Sequence, residues 1–192
     1  MLIDLLRKRT SVRKFTNKKI SAEIIDCILE AGRLAPSGGN EQPWKFGIIT
    51  EKELINKVSE VAYNQSWIKS APLLIVLCST IVDDERNGRD IQKYRFPERK
   101  DDIEKMDKEL YSYINMEEHQ TKIPGTQMVI QALEYGIYST WISRFNVQKL
   151  ANLLCLPQFC IPSEIIAFGF PEESMNPKPK KSIEEITFYN IF

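Results

Sequence analysis

Leu73 to Cys78 reads LLIVLC, six apolar residues in a row introduced by Pro72. Six residues suit a strand better than a helix, and a strand that is apolar at every position faces protein on both sides. The chain must therefore supply helices to cover a sheet, and the flanking sequence does. Upstream, Ser21 followed by Glu23, Ile24, Ile25, Ile28 and Leu29 reads as an N-capped amphipathic helix ended by Pro36, Gly38 and Gly39. Trp44 to Thr50 (WKFGIIT) reads as a strand, and Glu51 to Tyr63 as a helix capped by Thr50. Downstream, Gly125 to Tyr138 is a strongly apolar helix ending near Gly136, suited to the interior or an interface. Ser139 to Ser143 is a short strand, Asn146 caps a helix running through Leu154, and Glu164 to Phe170 is another strand. Strands alternating with helices predict an α/β or α+β sandwich with helices covering the sheet.

The ends and the middle differ in kind. Between Asp83 and Lys122 charge dominates, and the few apolar residues (Ile103, Met106, Leu110, Tyr113, Ile114) fall at helical spacing, which predicts a largely solvated helical excursion at about 83–122. The tail from Pro171, at about 171–192, is punctuated by proline and cannot fold on itself. Its apolar end, Ile186 to Phe192, predicts a strand-forming arm that packs elsewhere in this chain or on a partner.

The chain has 192 residues, with 26 Lys and Arg against 26 Asp and Glu, 43% hydrophobic and 27% charged. The length fits one domain over residues 1–192, at a prior of roughly 150 residues per domain. The balanced charge argues against a nucleic-acid binder, as does the lack of aromatics interleaved with the basic N-terminus. Cys27, Cys78, Cys155 and Cys160 show no CxxC spacing, and three lie in apolar stretches, so the expectation is buried free thiols and no structural zinc. His119 is the single histidine and sits among charges, where it reads as solvated rather than catalytic. No apolar run approaches the roughly 20 residues that span a bilayer, and the start does not read as a secretory signal. The expected location is the cytoplasm. Neither GxGxxG after the first strand nor GxxxxGK[ST] occurs, so the glycine-loop nucleotide folds are not supported.

Two stretches carry candidate chemistry. Arg7, Lys8, Arg9, Arg13, Lys14, Lys18 and Lys19 crowd a segment whose only acid is Asp4, and Lys178, Lys180 and Lys181 cluster near the other end. Within Arg9-Thr10-Ser11-Val12-Arg13, guanidinium forks and hydroxyls match the oxygens of a phosphate monoester, and an extended backbone puts Arg9, Ser11 and Arg13 on one side. On spacing alone, a solvated basic surface is the commoner outcome for such a segment. The second stretch, APSGGNEQPW at 35–44, is a polar turn. Its glycines allow close backbone approach to a ligand, and Ser37, Asn40 and Gln42 offer mixed donors and acceptors. As a bare turn it is also a plain connection.

RTSVRKF at 9–15 followed by APSGGNEQPWKF at 35–46 resembles the paired signature of the nitroreductase family of FMN-dependent oxidoreductases. The resemblance continues through SAPLLIVLCS, GTQMVIQALEYGIYSTWIS, IIAFGFPEE and PKPKKSIEEITFYN in the family's order, and is weakest over 83–122. It implies an α+β, nitroreductase-like fold with a central mixed sheet flanked by helices, and a homodimer that exchanges its C-terminal arms and holds two FMN molecules at the interface. By the same resemblance, Arg9, Thr10, Ser11 and Arg13 hold the FMN phosphate, ribityl chain and pyrimidine edge. Pro36, Ser37, Asn40 and Gln42 reach the flavin of the other subunit, and Asn64 contacts the pyrimidine. Ile142 and Ser143 lie against the isoalloxazine, and Lys178 and Lys180 meet the phosphate. Three places depart from the family pattern: Trp67 where some members have a lysine near the N1/O2 edge, Lys180 for a commoner arginine, and Ser143-Arg144 for small or acidic residues beside N5.

The implied activity is hydride transfer from NADH or NADPH, followed by reduction of nitroaromatic or quinone acceptors in a ping-pong cycle. The chemistry belongs to the cofactor, so no residue is assigned as a catalytic acid or base, and no metal is expected. Relatives with the same fold and FMN run other reactions, including reductive dehalogenation, for which 83–122 would be the lid. A non-catalytic flavin-binding protein is a third reading.

Overall fold

The computed structural model describes residues 1–80, 93, 96–114 and 120–191, with the side chains of 112–114 left aside. The expectation for His119, and those for most of 81–95 and for 115–119, lie outside the described residues. LLIVLC becomes β2 (Leu73–Ser79), and every one of its residues is buried. It runs antiparallel to β1 (Trp44–Ile49) on one side and β4 (Ile161–Gly169) on the other, and β4 pairs antiparallel with β3 (Tyr138–Ile142). The sheet order is β1-β2-β4-β3. Among the described residues, parallel character is confined to one bridge between Ser11 and Ser139, so the mixed sheet expected from the resemblance is antiparallel there apart from that bridge.

Alternation along β2 divides its side chains between two cores. Leu73, Ile75 and Leu77 join Ile28, Met128, Val129 and Ala132, under α2 (Ala22–Arg33) and α6 (Lys122–Glu134). Leu74, Val76 and Cys78 join Ile55, Val58 and Leu150 on the other face, under α3 (Lys52–Val61) and α7 (Val147–Leu153). The result is a three-layer sandwich. Close approach of α6 to the sheet requires Gly125: a Cβ there would sit 2.6 Å from both Leu77 Cδ1 and Trp141 Cη2.

Several boundaries differ from the sequence reading. The residue preceding α3 is Glu51 rather than Thr50. β4 begins at Ile161, before Glu164, because Pro162 is accommodated where the β2–β4 register shifts between Leu77 and Cys78. Leu2–Lys8 forms a further helix, α1, which the charge-rich N-terminus concealed. Asn146 does cap α7, its Oδ1 accepting from the Lys149 amide at 2.9 Å. In the charged excursion, α4 (Lys100–Lys105) and α5 (Lys108–Ile114) are separate short helices, with Ile103 and Tyr111 buried and Leu110 exposed.

Within this chain Ile186 to Ile191 forms no strand, and Tyr189 and Ile191 are 84% and 86% exposed. One expectation is corrected. Of the four thiols only Cys78 and Cys160 are buried; Cys27 faces outward from α2, and Cys155 lies past the end of α7 at φ 51°. Burial, and after it the neighbouring Cys160, pushes the Cys78 thiol above its ordinary range. No helix of the described residues is long and apolar enough to cross a membrane.

Candidate active site

Segment 9–13 lies along the outer edge of β3. Val12 donates its amide to the Ser139 carbonyl at 3.3 Å and accepts from the buried Thr140 hydroxyl, and Ser11 bridges Ser139. Thr10 and Val12 turn inward and are buried, whereas Ser11 and Arg13 are exposed and Arg9 is half-buried. The alternation expected from the sequence is therefore present. It also means that the Thr10 side chain does not face the row, which leaves only its backbone to meet a ligand.

Beyond Arg13 the chain reaches Phe15, buried and bridged to Pro171, and Thr16, whose amide bonds the Phe170 carbonyl. Lys14 pairs with Glu172 at 3.0 Å and Glu173 at 3.3 Å, which raise its pKa, hydrogen bonding to Glu172 contributing most. The two ends of the chain thus run side by side. Lys178 and Lys180 are exposed beyond that pairing, six and eight residues past Glu172, about 20 to 26 Å of extended chain.

A cleft of about 490 Å³ opens beside this edge, its walls including Arg9, Lys122, Trp141, Ser143 and Glu164. The β3–β4 register places Ser143 opposite Glu164, which is only 2% exposed. Ser143 donates its hydroxyl to Glu164 Oε2 at 2.7 Å, and Lys122 Nζ lies 3.3 Å from Oε1. A buried carboxylate needs such partners. Neither Glu164 nor Lys122 was singled out in the sequence. The available signal was the single acid inside IPSEIIAFGF, an odd residue for a strand buried on both faces. Ile142 is buried in the α3/α7 core, so its side chain does not line the cleft and only its backbone is available.

The connection after β3 is tied to the segment that follows α3. Tyr63 and Asn64 both adopt left-handed φ, 56° and 58°. The Gln65 amide group donates to the carbonyls of Ala62 at 2.9 Å and Arg144 at 3.0 Å. The Asn146 amide bonds the Val61 carbonyl at 3.1 Å, and Phe145 is buried. The Arg13 guanidinium lies 5.9 Å from the Trp67 ring centroid and that of Arg144 lies 5.4 Å from Tyr63.

The turn carrying Pro36, Ser37, Asn40 and Gln42 stands elsewhere. It precedes β1, at the opposite edge of the sheet, three inter-strand spacings or about 14 Å across from β3. Gly39, Asn40 and Gln42 take left-handed φ, and the Gln42 amide bonds Ser37 Oγ at 2.9 Å while the Gly38 amide bonds Gln120 Oε1 at 3.0 Å. Pro36, Asn40 and Gln42 are exposed. Within one chain the structure brings together Arg9, Ser11, Arg13, Asn64 and Ser143 around the β3 edge, but not the 36–42 turn.

The residues at the β3 edge suit FMN. Among the described residues nothing pairs with the side chains of Arg9, Ser11 or Asn64, and Arg13 has only a ring beside it. Uncommitted guanidinium and hydroxyl donors in a row are what a phosphate and a polyol chain require. An adjoining cleft of about 490 Å³ is within the range of cofactor pockets.

The sequence model described as Nitroreductase family matches residues 6–170. The chain is 25% identical over 191 residues to an FMN reductase (NAD(P)H) of Bacillus subtilis, covering all of this chain and 74% of that protein. It is 24% identical over 193 residues to an NADH dehydrogenase of Thermus thermophilus, covering 95% and 92% respectively. Among solved structures, the hypothetical oxidoreductase YcnD of Bacillus subtilis superposes with a TM-score of 0.78 at 26% identity, over 100% of this chain and 74% of that one. An FMN-dependent nitroreductase of Clostridium difficile shares the fold with a TM-score of 0.74 at 23% identity, over 99% of both chains.

Proposed function

The chain belongs to the nitroreductase family, and from that premise we propose that it is an NAD(P)H-dependent oxidoreductase holding FMN along the β3 edge. The observation that carries the reading is the row of Arg9, Ser11 and Arg13, exposed or half-buried and uncommitted beside the cleft.

Arg9, Ser11 and Arg13 would hold the phosphate and ribityl chain, with Lys178 and Lys180 closing on the phosphate from the neighbouring tail. Asn64 would meet the pyrimidine edge, and the backbone of Ile142 and Ser143 would lie against the ring. The Ser143 hydroxyl is already donated to Glu164, so this residue orients backbone rather than offering its proton. Trp67 stands where some relatives carry a lysine, and the Arg13 guanidinium lies 5.9 Å from its ring centroid. Bound FMN would supply hydride and electron transfer, which accounts for a chain with a single histidine. The cleft would receive the nicotinamide donor and then a nitroaromatic or quinone acceptor, in ping-pong order.

The distance between the 36–42 turn and the β3 edge supports a homodimer in which that turn from a second copy completes the site. The exposed apolar tail supports the same assembly. The reading is tested by purifying the protein and adding NADH or NADPH anaerobically. A yellow protein that bleaches on addition and recovers with a nitroaromatic or quinone is expected; a colourless one, or a yellow one that fails to bleach, sinks the proposal.

A further inference from the structure

We propose that Arg144 makes the site selective for planar acceptors carrying an anionic substituent, a carboxylate above all. The inference rests on the flavin reading above and deepens it by naming a substrate class. Arg144 stands directly after Ser143, on the connection between β3 and α7, and its side chain is exposed. Its backbone is pinned on both sides: the carbonyl accepts from Gln65, Phe145 behind it is buried, and Asn146 bonds Val61. The guanidinium is laid on the Tyr63 ring. A guanidinium stacked on an aromatic face keeps its N–H edge free and loses little further entropy on binding.

Arg144 combines this fixed placement with the absence of an acidic partner. Lys14, Arg33, Arg99 and Lys122 each face a carboxylate within 3.3 Å. Among the described residues no carboxylate pairs with Arg144. Arg144 lies just past the end of β3, directly after the cleft residue Ser143, and its guanidinium rests on Tyr63, the chain neighbour of Asn64. Arg9 and Arg13 are occupied by the cofactor in the flavin reading, and Arg144 is not. A fixed, uncommitted fork beside Asn64 is a receptor for two carboxylate oxygens.

The test compares 4-nitrobenzoate with its uncharged counterpart 4-nitrobenzamide on the FMN-loaded protein, for the wild type, Arg144→Ala and Arg144→Lys. The wild-type ratio of kcat/KM is expected to favour nitrobenzoate by about tenfold, the worth of one charge-assisted contact in a partly exposed site. Arg144→Ala should bring the ratio close to one through KM, and Arg144→Lys, which keeps charge without the fork, should fall between. Binding of benzoate against benzamide, read as quenching of protein or flavin fluorescence, should show the same order without turnover. A wild-type ratio near one, or a ratio unchanged in Arg144→Ala, overturns the inference. So does a variant that alters only the NADPH to NADH preference, since the anion recognised would then be the donor's phosphate. A yellow, bleachable protein without acceptor discrimination refutes this inference alone, whereas a colourless protein refutes the flavin reading and this inference with it.

Discussion

The two edges of the sheet are finished in different ways. Beside β3 the chain covers its own edge: Val12 exchanges hydrogen bonds with Ser139 and Thr140, and Ser11 forms the one parallel bridge. Beside β1 no described strand pairs, and Ile48 is 40% exposed on that open edge. Open edges with apolar side chains invite another strand. The same chain carries a tail with Ile183, Ile186, Phe188, Tyr189 and Ile191 exposed, and the tail joins neither edge. In the proposed reading the closed edge is where one chain assembles its share of the cofactor site, and the open edge would receive the tail of a second copy. The 36–42 turn sits at the open side.

Removing the tail after Ser182 should break that arrangement most completely. The expected outcome is a monomer by light scattering at micromolar concentration with FMN lost on gel filtration. A truncated protein that stays dimeric and yellow would mean that the open edge is finished some other way. A gentler version is Ile48→Lys, which places a charge on the β1 edge while leaving the interior untouched. It should weaken the dimer by about tenfold or more if a partner's strand lies there. On a free edge it would change nothing.

At the closed edge, the double variant Arg9→Ala and Arg13→Ala removes the two uncommitted guanidinium groups beside β3. Each is worth about 1.5 kcal/mol or more as a charge-assisted contact, so FMN should bind about a hundredfold more weakly while the fold persists. Equilibrium titration with FMN measures this, and unchanged affinity would refute the phosphate assignment. The edge itself is probed by Thr140→Val. Losing the hydroxyl that Val12 accepts leaves a buried carbonyl under-satisfied, and unfolding by urea should report a loss of about 1 kcal/mol.

The sequence was most legible where one physical pattern acts alone. LLIVLC could only be a covered strand, and the Arg9, Ser11, Arg13 alternation followed from extended backbone. Asn146 capped its helix because an Asx side chain at that position has an orphan amide to satisfy. Legibility failed where tertiary context overrode local signals. The strand read from Glu164 in fact begins at Ile161, with Pro162 accommodated where the register of the neighbouring ladder shifts. Glu164 carried no signal of its own role, because Lys122 and Ser143, distant in sequence, arrive only through the fold to satisfy it in the interior. Arg13 and Arg144 were legible as cations but not as stacked ones, because Trp67 and Tyr63 reach them only through the fold. The tail's strand propensity is not expressed within this chain.

The smallest effect separates interior from periphery without disturbing either. Cys27 is exposed on α2 and Cys155 lies exposed in the turn after α7, while Cys78 and Cys160 lie side by side under the same face of the sheet. Burial holds the Cys78 thiol well above its ordinary range, so almost no thiolate is present near neutral pH, and the thiolate is the reactive form. A thiol-disulfide reagent added to the native protein should therefore modify two cysteines quickly with little change in stability. The remaining two of the four should react only as fast as the sheet opens, and at once in denaturant. Rapid modification of a third thiol in the native state would show that the β2–β4 pairing near Cys78 opens locally, and that the interior is less uniformly closed than the β3 edge beside it.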